Sequence, residues 1–180
     1  MKKAKFSCSI WLNNKLRLLW SQHVYRTRLF IISTASELAD LPYTTKWLLQ
    51  NPGDFAAVLE PFYGKHRADK FELLLTEHLT NAAELVNAAK NKETAKADSA
   101  RKRWYKNADE IAEFLSNINP YWNRQKWTNM LYSHLKMTEN EAIFRLSGKY
   151  PEDIDTFNSI EREAMEMADY MASGMSRQFS

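Results

Sequence analysis

Four glycines and five prolines in 180 residues are too few for a chain of tight turns and short strands, which rely on these residues as punctuation. A single cysteine, Cys8, rules out an intramolecular disulfide and any zinc site built on paired cysteines, and it fits a reducing compartment. No apolar run approaches the roughly 18 residues that a membrane-spanning helix needs. The opening MKKAKFSCSIWLNNKLRLLW has the lysines of a secretion signal, but Asn13, Asn14 and Lys15 interrupt its apolar part, so it reads as mature sequence of a cytoplasmic protein. A dominant charge is also missing. With 25 basic and 22 acidic residues interspersed, nothing demands nucleic acid or anionic lipid. Nor is there a phosphate loop, because Ile143 and Tyr150, on either side of Gly148-Lys149, stand where the motif needs a glycine and a serine or threonine. Cys8 has no histidine near it in sequence and no serine has an elbow context, which leaves nucleophilic catalysis without a candidate.

What is present is apolar spacing of three and four residues almost throughout, the period of a helix with one buried face. The spacing predicts an N-terminal tail over 1–14 and a first helix over 15–37, then a short turn of helix over 44–50. Asn51-Pro52 opens a helix that stops near Gly64. A long helix covers 68–89, and a polar, basic stretch (90–103) leads into another that ends before Pro120. A helix over 123–135 follows. Thr138 and Glu141 have the spacing of a capping box that opens a short helix to Leu146, and the last helix runs over 152–175.

The chain also resembles itself. NPGDFAAVLEPFYG (51–64) aligns with NADEIAEFLSNINP (107–120), pairing Asn51 with Asn107, Asp54 with Glu110, Phe55 with Ile111 and Leu59 with Leu115. The same offset of 56 carries FELLLTEH (71–78) onto WTNMLYSH (127–134), setting His78 over His134. A third copy of the template lies in the first helix, where Leu16, Leu19, Trp20 and His23 repeat the spacing of Phe71, Leu74, Leu75 and His78. The repeat spans about 15–78 and 71–135. The expected fold is all-α: duplicated helical hairpins packed as an up-down bundle, ferritin-like in outline, with an additional C-terminal helix.

Each of the three histidines follows apolar residues at seven, four and three positions, which puts it on the buried stripe of its helix. A buried imidazole needs partners for its nitrogens, either hydrogen-bonding groups or a metal. Asn51 and Asn107 fall on buried stripes too and could serve as partners. Glu-x-x-His, the usual di-metal signature of helical bundles, is absent. Carboxylates that could join the histidines are Glu77, Asp54, Glu110 and Glu161, the last placed on the buried stripe four residues after Phe157. Histidines with carboxylates from several helices suit zinc, iron or manganese.

The segments LLWSQHVYRTRLFIIS, NPGDFAAVLEPFYG, LLTEHLTNAAELVNAAK, WYKNADEIAEFLSNINPYW and IEREAMEMADYM together resemble a family of short bacterial helical proteins, some of which carry the label acetylglutamate kinase. The likeness spans most of the chain. It implies a label that the missing glycine-rich phosphate-binding segment contradicts. More distantly, the histidine-bearing helices are similar to a ferritin-like family thought to hold metal ions between its helices, which implies a role for His23, His78, Glu77 and His134.

The leading expectation is therefore a metal-binding bundle using His23, His78, His134 and carboxylates among Glu77, Glu161, Asp54 and Glu110, with redox or hydrolytic chemistry as the extension. An alternative is a non-enzymatic interaction module, expected as a homo-oligomer or with a protein partner, with structural histidines and a binding surface on the methionines of the last helix (Met165, Met167, Met171, Met175) or on the basic region 90–106. Nucleic acid, bound through the basic residues beside Trp104 and Tyr105, is the third reading.

Overall fold

A computed structural model describes the backbone of residues 2–179 and the side chains of residues 10–179. Seven helices follow one another: α1 (Lys2–Ala35), α2 (Leu41–Leu48), α3 (Asn51–Tyr63), α4 (Lys65–Lys90), α5 (Thr94–Ile118), α6 (Arg124–Leu146) and α7 (Tyr150–Gln178). No strand occurs among the described residues, and no helix there is long and apolar enough to cross a membrane.

Short connections make successive helices antiparallel neighbours. Gly64, at φ 78°, turns α3 into α4, and Gly148, at φ 71°, turns the chain between α6 and α7; both need the left-handed freedom of glycine. The Asn123 side chain caps α6 by accepting from the Lys126 amide at 2.9 Å. The helices close into a ring. α1, α4 and α6 touch one another, while α3 bridges α1 and α4, α5 bridges α4 and α6, and α7 bridges α6 and α1. The C-terminal helix thus fills the gap between the first and sixth helices.

Three expectations about elements are corrected. Residues 2–14 continue α1, because Leu12 and Leu16 extend its buried stripe and Asn13 reaches Asp169 of α7 at 2.8 Å. The side chain of Cys8 lies outside the described residues. The basic stretch is helical from Thr94, since Ala97, Ala100 and Trp104 give it an apolar face. Thr138 and Glu141 cap nothing: both are buried in the middle of an unbroken α6, and Glu141 accepts from Arg28 of α1 at 2.7 Å.

One large core holds the aromatic residues Trp20, Phe55, Phe71, Trp104 and Trp127. A smaller apolar cluster of Phe30, Ile31, Leu48, Leu79, Val86 and Ala142 lies apart from it. The histidines lie between the two.

Candidate metal centre

His23 on α1, His78 on α4 and His134 on α6 sit where the three inner helices meet, each at most 3% exposed. Their ring centroids are 5.7 to 6.5 Å apart. One ring nitrogen from each lies within 4.8 Å of those of the other two. Recurrence of the apolar-x-x-apolar-apolar-x-x-His spacing on three inner helices brings this about, because the same stripe faces the axis in each.

The outer nitrogens are held by the intervening helices. His23 Nδ1 lies 3.0 Å from Asn51 Oδ1, and the Asn51 amide NH2 donates to the Leu19 carbonyl at 3.1 Å. His78 Nδ1 lies 3.1 Å from Asn107 Oδ1, and the Asn107 NH2 donates to the Leu74 carbonyl at 3.0 Å. In both, the carbonyl fixes which way the amide points, so the oxygen faces the ring and Nδ1 must carry the proton. Nε2 is left with its lone pair. In His78 that lone pair accepts from the Trp104 indole N–H at 3.2 Å.

The third histidine has a different neighbour, which the sequence reading missed. His134 Nδ1 faces Glu163 Oε2 of α7 at 3.7 Å, beyond hydrogen-bonding distance, and neither atom has a hydrogen-bond partner. Glu163 follows His134 by 29 residues, as Asn107 follows His78, and it stands 56 residues after Asn107, as Asn107 does after Asn51. Met167, Ala168 and Met171 then occupy the places of Phe55, Ala56 and Leu59, all buried. The signal was present in the spacing, but a search for like residue types passes over a glutamate standing where asparagine stands twice.

Burial keeps all three imidazoles neutral. It lowers His23 to about 4 and His78 to about 3, the latter with help from the nearby His23, and it takes His134 well below the ordinary value of 6.5. Burial also raises Glu163, to about 7, against a hydrogen bond from Ser133.

None of the four expected carboxylates joins the histidines. Glu161 is two residues from Glu163 and so on another face of α7; it accepts from the Tyr25 hydroxyl at 2.8 Å on the solvent side. Phe157, four residues before Glu161, is buried, but Ile154, seven residues before it on the same spacing, is 52% exposed, so that stripe turns to solvent there. Glu77 immediately precedes His78, off the buried stripe, and is exposed to solvent. Asp54 pairs with Arg26 at 3.3 Å, and Glu110 with Lys106 at 3.1 Å.

On the side of the smaller apolar cluster the histidines face a cavity of about 110 Å³, with Thr27, Thr138, Arg101 and Glu139 as its other polar lining. The basic region contributes little free charge or stacking surface. Arg101 pairs with Asp98 and Glu139, Arg103 with Glu84, Lys96 with Glu93 and Lys90 with Glu37. Trp104 is buried against His78, and Tyr105 packs on Tyr132.

Comparisons with protein-family models, with curated proteins and with solved structures give no match to this chain. The fold and site define its class: an all-α bundle with a layer of three buried, neutral histidines at the centre.

Proposed function

We propose that the protein binds one divalent transition metal ion through Nε2 of His23, His78 and His134. The observation that carries the reading is the convergence of three neutral imidazoles whose Nδ1 atoms face Asn51, Asn107 and Glu163. Metal-bound histidines characteristically donate the remaining ring N–H to an oxygen, which fixes tautomer and ring orientation. Three copies of one unit, His–Asn, His–Asn and His–Glu at an offset near 56, support an internal threefold repeat as the origin of the site. With the other carboxylates outside, an all-imidazole set suits zinc or iron better than manganese.

His23, His78 and His134 would hold the ion through Nε2, and His78 would give up the Trp104 N–H in order to do so. Three protein ligands leave a coordination position open, as in catalytic rather than structural centres. Redox or hydrolytic chemistry is the natural extension.

Elemental analysis of protein purified without an affinity tag, followed by a cobalt(II) titration read from its visible absorption, tests the proposal. One equivalent of metal, lost in His78→Ala and weakened about 10- to 100-fold in Glu163→Leu, is expected. No stoichiometric metal and no cobalt spectrum in the folded protein would sink it. The Trp104–His78 hydrogen bond favours a second reading, in which the layer is purely structural; that reading predicts no metal and an unfolding midpoint unaffected by zinc.

A further inference from the structure

The cavity beside the histidines has a chemical character of its own. Its walls are the small apolar cluster, Phe30, Ile31, Leu48, Leu79, Val86 and Ala142, which the histidine layer separates from the main core. Three features bear on what fits there. The first is size: about 110 Å³ is somewhat less than the roughly 150 Å³ apolar cavity that takes up benzene, so an occupant has about four or five non-hydrogen atoms. The second is a polar point. Thr138 is 3% exposed, its hydroxyl oxygen meets no hydrogen-bonding group, and it lines the cavity one turn along α6 from His134. Thr27, by contrast, already donates to the His23 carbonyl at 2.8 Å.

The third is charge. Arg101 and Glu139 are the charged side chains of the lining, and they neutralise each other, with Arg101 Nε donating to Glu139 at 2.7 Å. An ionised occupant would lose its hydration and meet no unpaired countercharge.

We propose that this cavity is a binding site for a neutral small molecule with a compact apolar body and one oxygen, such as a short branched alcohol or ketone. The Thr138 hydroxyl hydrogen-bonds the oxygen, and the walls from α1, α4 and α6 enclose the carbon skeleton. Apolar burial supplies most of the affinity and Thr138 the orientation. The site does not depend on the metal, although its occupant lies against the same histidines.

Chelator-treated protein titrated with isobutanol, isobutyrate and isobutylammonium, and followed by amide NMR, provides the test. Saturable shifts at Thr27, Leu79, Ala82 and Thr138 with isobutanol, and none with either ion, are expected. Thr138→Val, nearly the same shape, weakens isobutanol about tenfold and leaves xenon uptake intact. Ala83→Leu, at a half-buried wall position that tolerates added bulk, abolishes both. Linear, unsaturable shifts with isobutanol, equal binding of an ion, or a Thr138→Val variant that binds isobutanol like the parent would overturn the proposal. Metal titration of the same samples reports separately on the metal site.

Discussion

Of the three histidines, His78 is the one whose Nε2 accepts a hydrogen bond, from the Trp104 indole N–H. That donor competes with any metal for the lone pair. Trp104→Phe removes it while keeping an aromatic ring against His78, so cobalt(II) affinity should rise severalfold even as the protein loses about 1–3 kcal/mol of stability from the lost bond and volume. Unchanged affinity would count against Nε2 of His78 as a ligand. Gly174 is constrained by a neighbour rather than by a turn: a Cβ there would fall 2.0 Å from the Trp122 indole nitrogen. Gly174→Ala should therefore shift Trp122, costing about 1–3 kcal/mol in urea unfolding, with a change in tryptophan fluorescence.

Among the elements, α1 is tied to both α6 and α7 by one arginine. Arg28 donates to Glu141 of α6 at 2.7 Å and to Asp153 of α7 at 2.8 Å, and its guanidinium lies over the Phe157 ring at 4.6 Å. Both acids are about 1% exposed. Arg28→Met leaves two buried carboxylates with only Arg145, 3.6 Å from Asp153, and should cost about 3–5 kcal/mol. Glu141→Gln combined with Asp153→Asn should recover part of that loss, whereas a merely steric role for Arg28 predicts no recovery. The sequence hid this linkage because Glu141 stands three residues after Thr138, the spacing of a helix cap, and only neighbouring helices show that the pair faces inward. In the same way Glu163 was legible as a repeat position but not as a histidine partner.

At the scale of the molecule, buried titratable groups set the pH of greatest stability of the metal-free protein. Unfolded imidazoles take up protons below about 6.5, while folded His23 resists to about 4, His78 to about 3 and His134 to well below 6.5, so their contribution is present above 6.5 and lost as pH falls. Glu141 and Glu163, both raised to about 7 by burial, act oppositely: their contribution is full below 4.5 and lost as pH rises through 7. Three histidines against two carboxyls leave a net of about one proton between pH 4.5 and 6.5, rising towards about three just below 4.5 and shrinking again as His23 protonates near pH 4. The urea midpoint should peak between about pH 6 and 6.5, decline gently to 4.5 and fall steeply beyond; a midpoint flat from pH 6.5 to 4 would mean that the histidines are not held neutral. The sequence by itself determined the helices and the inward face of His23, His78 and His134, because a 3.6-residue period projects each side chain to a known side of its own helix. Which carboxylate meets them, that α7 closes a ring, and that a cavity opens beside the layer were decided only by the tertiary structure. Those facts depend on the rotation of one helix against another, where two residues along α7 separate Glu163 at His134 from Glu161 at the surface.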